Sequence, residues 1–326
     1  MIASRNSQRI MESGIMLRTG IVVLLVSMIL SSSQEVQAQE KKKNKKTREV
    51  FSWVNKPSKA YENLPIDHET FRSESMGTDV GYCIYLPPGY ASTKGSGKRY
   101  PVVYYLHGGR PGSELKSVGL SAVIDETIRS KRISPMIYVF INGGPMSHYD
   151  YPQMPNGQGE SVFINELIPH VDSTYRTIAS REGRGVEGFS QGGRGTARIM
   201  FRHPDLFCSA APGGSGFATE KKISENDGQE SDHVVFAEGY NAYDTARVYA
   251  TSEKQKQYPL HILIHVGTKG FNYENNLAYM KFLKQFGVEF EKLIVEDVPH
   301  SAKKLYEKQG DVLMKFHARN FSGESQ

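Results

Sequence analysis

The chain has 326 residues, 38% of them hydrophobic and 23% charged, and a formal net charge of +5. This length holds one large domain with a buried core but not two, and only two cysteines, Cys83 and Cys208, exclude a disulfide-rich scaffold. The charge is no sign of a nucleic-acid partner, because residues 39–48 carry +5 by themselves and residues 49–326 are close to −1.

Residues 1–38 read as a secretory signal, with Met16 an alternative initiator. Arg18 precedes the apolar run Ile21-Val22-Val23-Leu24-Leu25-Val26, which continues to Leu30, and Val36-Gln37-Ala38 offers a cleavage site of small residues. An uncleaved membrane anchor is the other reading, although the run is shorter than a usual bilayer span. Cleavage after Ala38 predicts an exported, secreted or periplasmic protein. Residues 39–62 read as a basic linker, with a weak tether to an anionic surface as the alternative for its lysines.

From residue 63 the elements alternate. Residues 63–86 predict an antiparallel β entry, which Pro87-Pro88-Gly89 ends. Val102-Val103-Tyr104-Tyr105-Leu106 and Ile137-Tyr138-Val139-Phe140-Ile141 are continuous apolar runs, as expected of strands covered on both faces. Helices are expected around residues 122–131 and 161–175. A short strand ending at Phe189, a helix from Gln191 and a strand around Cys208 come next. Residues 261–266 and 289–295 predict the last two strands, separated by a helix bearing Leu277, Met280 and Leu283, and a C-terminal helix carries Leu305, Leu313 and Phe316. Serial alternation predicts an α/β fold over residues 63–321, with a mostly parallel sheet and helices on both faces. Residues 214–257 break the rhythm, as a cap over the site or as a surface excursion with one packed helix. Cys83 and Cys208 read as small buried thiols, with a bridge as the alternative, and neither has a companion at zinc-ligand spacing.

The chemistry centres on Gly188-Phe189-Ser190-Gln191-Gly192. This G-x-S-x-G sequence between a strand and a helix suits a nucleophilic serine on a sharp turn, where a Cβ on either flanking glycine would clash. A serine nucleophile needs a base, and His300 stands in a loop after the last strand. His261 and His265 fall inside a strand, His317 on a helix and His203 at a helix end. Gly108 and Gly109 come after the first central strand, where their N–H groups, with that of Gln191, would form an oxyanion hole. Asn142, Tyr149, Tyr151 and Asn272 sit in expected strand-end loops and are candidate substrate contacts, with ordinary loop packing as the alternative. Glu160 would line the pocket or favour the start of its helix.

Taken together, His107-Gly108-Gly109, Asn142-Gly143-Gly144, Glu166-Leu167-Ile168-Pro169-His170-Val171, Gly188-Phe189-Ser190-Gln191-Gly192-Gly193 and the late His300 resemble the putative esterase family of α/β-hydrolases. That family includes feruloyl and acetylxylan esterases, enterochelin esterases and S-formylglutathione hydrolase. The resemblance implies the α/β-hydrolase fold and a serine ester hydrolase acting through an acyl-serine, with no metal and no organic cofactor. A carbohydrate-linked ester of feruloyl or acetyl type is the expected substrate, and acyl transfer would use the same residues. One position departs from the pattern: family members place the triad Asp in Gly-Thr-x-Asp, and here the run is Gly267-Thr268-Lys269-Gly270. Three readings are open: Glu274 reaches back to His300, or the enzyme works as a dyad, or the chain has kept the pocket for binding alone. Asp297 is near His300 in sequence but is expected to point elsewhere.

Overall fold

The computed structural model describes residues 51–95, 97–151, 154, 156–217 and 239–321. Contacts divide the chain into Met1–Val50 and Phe51–Gln326. The expected signal at residues 1–38 and half of the expected linker, residues 39–50, therefore lie outside the described residues, and the second unit carries the fold.

Eight strands form one sheet: β1 (Asp67–Ser73), β2 (Thr78–Tyr85), β3 (Val102–Leu106), β4 (Ile137–Ile141), β5 (Arg184–Phe189), β6 (Ser209–Gly213), β7 (His261–Lys269) and β8 (Glu291–Pro299). Their order is β1-β2-β4-β3-β5-β6-β7-β8. β1 pairs antiparallel with β2, β2 antiparallel with β4, and every other pair is parallel. This is the α/β-hydrolase arrangement, with the expected antiparallel entry.

The apolar runs of β3 and β4 are buried at every position because alternate side chains enter opposite cores. Val102, Tyr104 and Leu106 join one core, covered by three helical segments at Gly159–Val162, Phe163–Leu167 and Ile168–Thr174, together α2, and by α3 (Gln191–Arg202), α4 (Ala242–Ala250) and α6 (Tyr273–Gln285). Val103 and Tyr105 join the other, covered by α1 (Ser121–Arg129) and α7 (Ala302–Asn320). The middle segment of α2 is a π-turn, which a plain helical periodicity does not announce. Cys83 and Cys208 are both buried free thiols.

One boundary differs from expectation. Residues 51–62 are not simple linker: Trp53 is buried in the core, and its carbonyl accepts from Gly81 N at 2.7 Å. Glu114 secures the segment, accepting from Asn55 N at 2.7 Å and Asn55 Nδ2 at 2.8 Å. An aromatic stretch beside a lysine run looks like its continuation, yet its own apolar content decides where it packs. The excursion at 214–257 lies partly outside the described residues, at 218–238. Its described end forms α4 and the short α5 (Lys254–Gln257). Ala242, Ala246 and Tyr249 of α4 are buried, and Tyr279 of α6 donates to the Ala242 carbonyl at 2.9 Å.

Parallel strands direct their carboxyl ends to one edge of the sheet, where open α/β sheets build their sites. Leu106 of β3, Phe189 of β5, Gly213 of β6 and Lys269 of β7 all end there.

Candidate active site

Ser190 follows β5 directly and caps α3 with φ 62° and ψ −117°, a left-handed conformation costly for a residue with a Cβ. The turn is over-determined by its surroundings. Ser190 N donates to the Gly213 carbonyl at 2.9 Å, and its own carbonyl accepts from Arg194 N at 3.1 Å and from Ser215 Oγ at 2.9 Å. The neighbouring glycines are steric requirements. A Cβ on Gly188 would lie 2.5 Å from the Gly192 backbone, and one on Gly192 would lie 1.8 Å from the Leu106 carbonyl oxygen.

His300 follows β8 without a gap, because that strand runs to Pro299, beyond the expected end at Val295. Ser301 then caps α7, accepting from Lys304 N at 3.2 Å. The result brings His300 Nε2 to 3.0 Å from Ser190 Oγ, across 110 residues of sequence. Burial pushes the His300 imidazole down to about 4, so the ring is neutral at ordinary pH and able to accept a proton.

Gly108 abuts the serine: a Cβ there would meet Ser190 Cβ at 3.3 Å and the Phe189 carbonyl at 3.2 Å. Gly109 has φ 70°, which carries the loop away from β3. Gln191 is the first residue of α3, where the helix end concentrates N–H groups and partial positive charge. Its side-chain Oε1 accepts from Arg110 Nη2 at 3.0 Å, tying the glycine loop to α3. Behind that loop, His107 Nε2 accepts from Gly143 N at 3.2 Å, while His148 Nε2 donates to the His107 carbonyl at 2.9 Å. These two histidines support backbone, a role the sequence pattern did not disclose.

The acid expectation is corrected. Glu274 occupies the first turn of α6 and is exposed, while the same helix end buries Asn272 and Asn276. With those two on the inner face, Glu274 falls on the outer one. His300 Nδ1 is buried and has no hydrogen-bond partner among the described residues. Asp297 does point elsewhere, to Lys269 Nζ at 2.7 Å. Two phenyl rings instead border the imidazole: Phe189, with centroids 4.8 Å apart, and Phe271, at 4.1 Å. No sequence signal marked either ring as a neighbour of the base, although Phe271 adjoins Gly270.

Two of the four substrate-contact expectations are also corrected. Asn142 is buried, its Nδ2 donating to the Ser52 and Trp53 carbonyls and to Glu114 Oε2, its Oδ1 accepting from Gly144 N. Asn272 is buried and donates to the Gly214 carbonyl at 3.0 Å. Both amides satisfy loop backbone. Tyr149 is buried against Tyr240, with ring centroids 4.7 Å apart, and Tyr151 keeps partial exposure at its edge. Glu160 accepts from Arg202 Nε at 2.8 Å and His203 Nε2 at 3.0 Å; burial opposes its charge, but these partners hold the carboxyl below its ordinary value. Among the described residues, no three His, Cys, Asp or Glu side chains are grouped as metal ligands.

A family described as "Putative esterase" matches residues 73–293, a stretch that contains Ser190 but stops short of His300. An endo-1,4-beta-xylanase/feruloyl esterase of Xylanibacter ruminicola is 35% identical over 147 residues, 44% of this chain and 20% of that protein. An esterase of Mycobacterium tuberculosis is 30% identical over 144 residues, 43% of this chain and 30% of its own length. The matched region is thus a fifth to a third of those longer relatives. A ferulic acid esterase structure superimposes with a TM-score of 0.64 at 22% identity, covering 79% of this chain and 100% of that one, which bears on the fold.

Proposed function

The chain belongs to the putative esterase family of α/β-hydrolases, and from that membership we propose that it is a serine ester hydrolase. The observation that carries the reading is the 3.0 Å approach of His300 Nε2 to Ser190 Oγ on a strained strand-to-helix turn. Ser190 Oγ attacks the ester carbonyl while His300 Nε2 takes its proton. The N–H groups of Gly108, Gly109 and Gln191 receive the developing oxyanion, the protonated His300 delivers its proton to the leaving alcohol, and an acyl-serine remains. Water, deprotonated by His300, then releases the acid. The substrate is a carbohydrate-linked ester of feruloyl or acetyl type, a reading supported by the name of the Xylanibacter relative.

Without a carboxylate on Nδ1, this is a dyad. In triads the acid fixes the tautomer that leaves Nε2 free to accept, and its loss lowers turnover by about 10⁴ while leaving a residue of catalysis. The same Nδ1 observation favours a second reading, a binding protein that has given up turnover. Hydrolysis of p-nitrophenyl acetate and of methyl ferulate by parent and Ser190→Ala decides between them: slow turnover lost in the variant supports the esterase, and equal rates refute it. An alcohol acceptor added to the same assay reports acyl transfer. Export through residues 1–38 is proposed on their pattern alone, and N-terminal sequencing of protein recovered outside the cytoplasm tests cleavage after Ala38.

A further inference from the structure

We propose that Phe271 is a positioning residue, holding the His300 imidazole for proton transfer where no carboxylate does so. The inference rests on the Ser190–His300 reading above. His300 Nε2 is committed to Ser190, and Nδ1 has no acceptor among the described residues, so no second hydrogen bond fixes the ring. Ring contacts are what confine it. Phe189 is anchored in the core at the end of β5, but Phe271 is 59% exposed, in the short loop between β7 and α6. Its ring lies 4.1 Å and 39° from the imidazole and covers that face of it.

That contact has three effects. The phenyl ring restricts rotation of the imidazole away from Ser190. It also keeps water from the ring, which favours the neutral base. When the imidazole takes the serine proton, the aromatic face offsets part of that desolvation by attracting the resulting cation. Of the charged groups on adjoining elements, Lys269 pairs with Asp297 at 2.7 Å and Lys303 of α7 with Glu307 at 3.7 Å, while Glu274 of α6 and Lys304 of α7 are exposed. Phe271 thus does part of what an Asp at position 270 would do, from the next residue in the chain.

The test is p-nitrophenyl ester hydrolysis by the full chain and by Phe271→Leu, Phe271→Ala and Phe271→Tyr, in the parent and Gly270→Asp backgrounds, across pH. Phe271→Leu is expected to lower kcat about tenfold with KM within about twofold, and Phe271→Tyr to restore it. Phe271→Ala should also move the acidic limb of the pH profile upward, as water reaches the ring. With Asp at 270 the penalty of Phe271→Leu should shrink to less than about threefold, because two groups then share one task. A raised KM at constant kcat would instead make Phe271 a substrate platform and overturn the inference, as would a full penalty in the Gly270→Asp background. A parent rate equal to that of Ser190→Ala refutes the esterase reading itself. In that case NMR titration of His300, assigned through His300→Gln, still decides: an identical titration in parent and Phe271→Ala rejects the positioning role.

Discussion

Gly270 turns its Cβ position toward His300: an added Cβ would lie 3.7 Å from His300 N and 3.8 Å from His300 Cα, with only the Gly267 carbonyl closer, at 3.1 Å. The glycine has no positive φ, so a side chain there meets no backbone strain. One more carbon places a carboxylate beside the ring whose Nδ1 has no partner among the described residues.

Gly270→Asp should therefore raise kcat for short p-nitrophenyl esters by on the order of 10²-fold, short of the full effect of a native acid because the Gly267 carbonyl must yield slightly. Steady-state kinetics with and without Ser190→Ala in the same background checks it. An unchanged kcat would mean that the missing carboxylate is not what limits proton transfer.

The pH dependence of kcat/KM is set by the same ring. Burial holds His300 at about 4, so the parent should keep its base form, and its activity, down to near that pH. A carboxylate at position 270 stabilises the protonated ring and should shift the acidic limb upward. A parent limb near the ordinary histidine value of about 6.5 would contradict the desolvated environment.

How far the site could be read from sequence depended on whether its cause was local. The serine turn was legible because Gly188 and Gly192 are demanded by backbone clashes within the turn and with β3 beside it. The approach of His300 to Ser190 was legible from chain order, since the resemblance puts the histidine after the last strand. Glu274 was not, because its direction depends on which face of α6 is buried, and Asn272 and Asn276 take that face. Asn142 resembled a ligand-binding amide in a strand-end loop, yet its partners Ser52, Trp53 and Glu114 are distant in sequence. The π-turn in α2 and the contact of Phe271 with His300 leave no periodic signature at all.

Asn142 gives a separate test of that distinction. Glu114 has no exposed side-chain surface and accepts from Asn55, His68 and Asn142. Asn142→Ala removes a donor from that carboxylate and from two carbonyls, and should cost about 2–4 kcal/mol of stability. Denaturant unfolding should show the loss while KM for small esters stays unchanged. A raised KM at constant stability would return Asn142 to the substrate site.

Gly192→Ala addresses the turn itself. Its Cβ would stand 1.8 Å from the Leu106 carbonyl oxygen and 2.8 Å from that of His107, both backbone atoms that cannot rotate away. The strand-to-helix turn must open, so the variant should lose about 3 kcal/mol or more and its Ser190-dependent activity together. Wild-type unfolding midpoints would show that β3 and α3 approach less closely than the geometry requires.

Buried histidines also set the acid stability of the fold. Burial lowers His107 to about 3, with Lys116 adding to the effect, and His265 to about 4. Both values lie below the unfolded value near 6.5, so as pH falls through that point the unfolded chain binds protons that the folded chain refuses. Their stabilising contribution is complete above about pH 6.5 and declines through the window down to their folded values, by up to about 1.4 kcal/mol per pH unit for each. Urea unfolding at about pH 7.5, 6.5, 5.5 and 5.0 reads these two groups together with His148 and His300, which burial also lowers, because ordinary carboxylates begin to protonate only near the lower end of that range. Unfolding free energy should be level from about 7.5 to 6.5 and then fall. A level profile down to about pH 5.0 would mean that the unfolded chain shares the depressed values, or that the two rings are better solvated than their burial indicates.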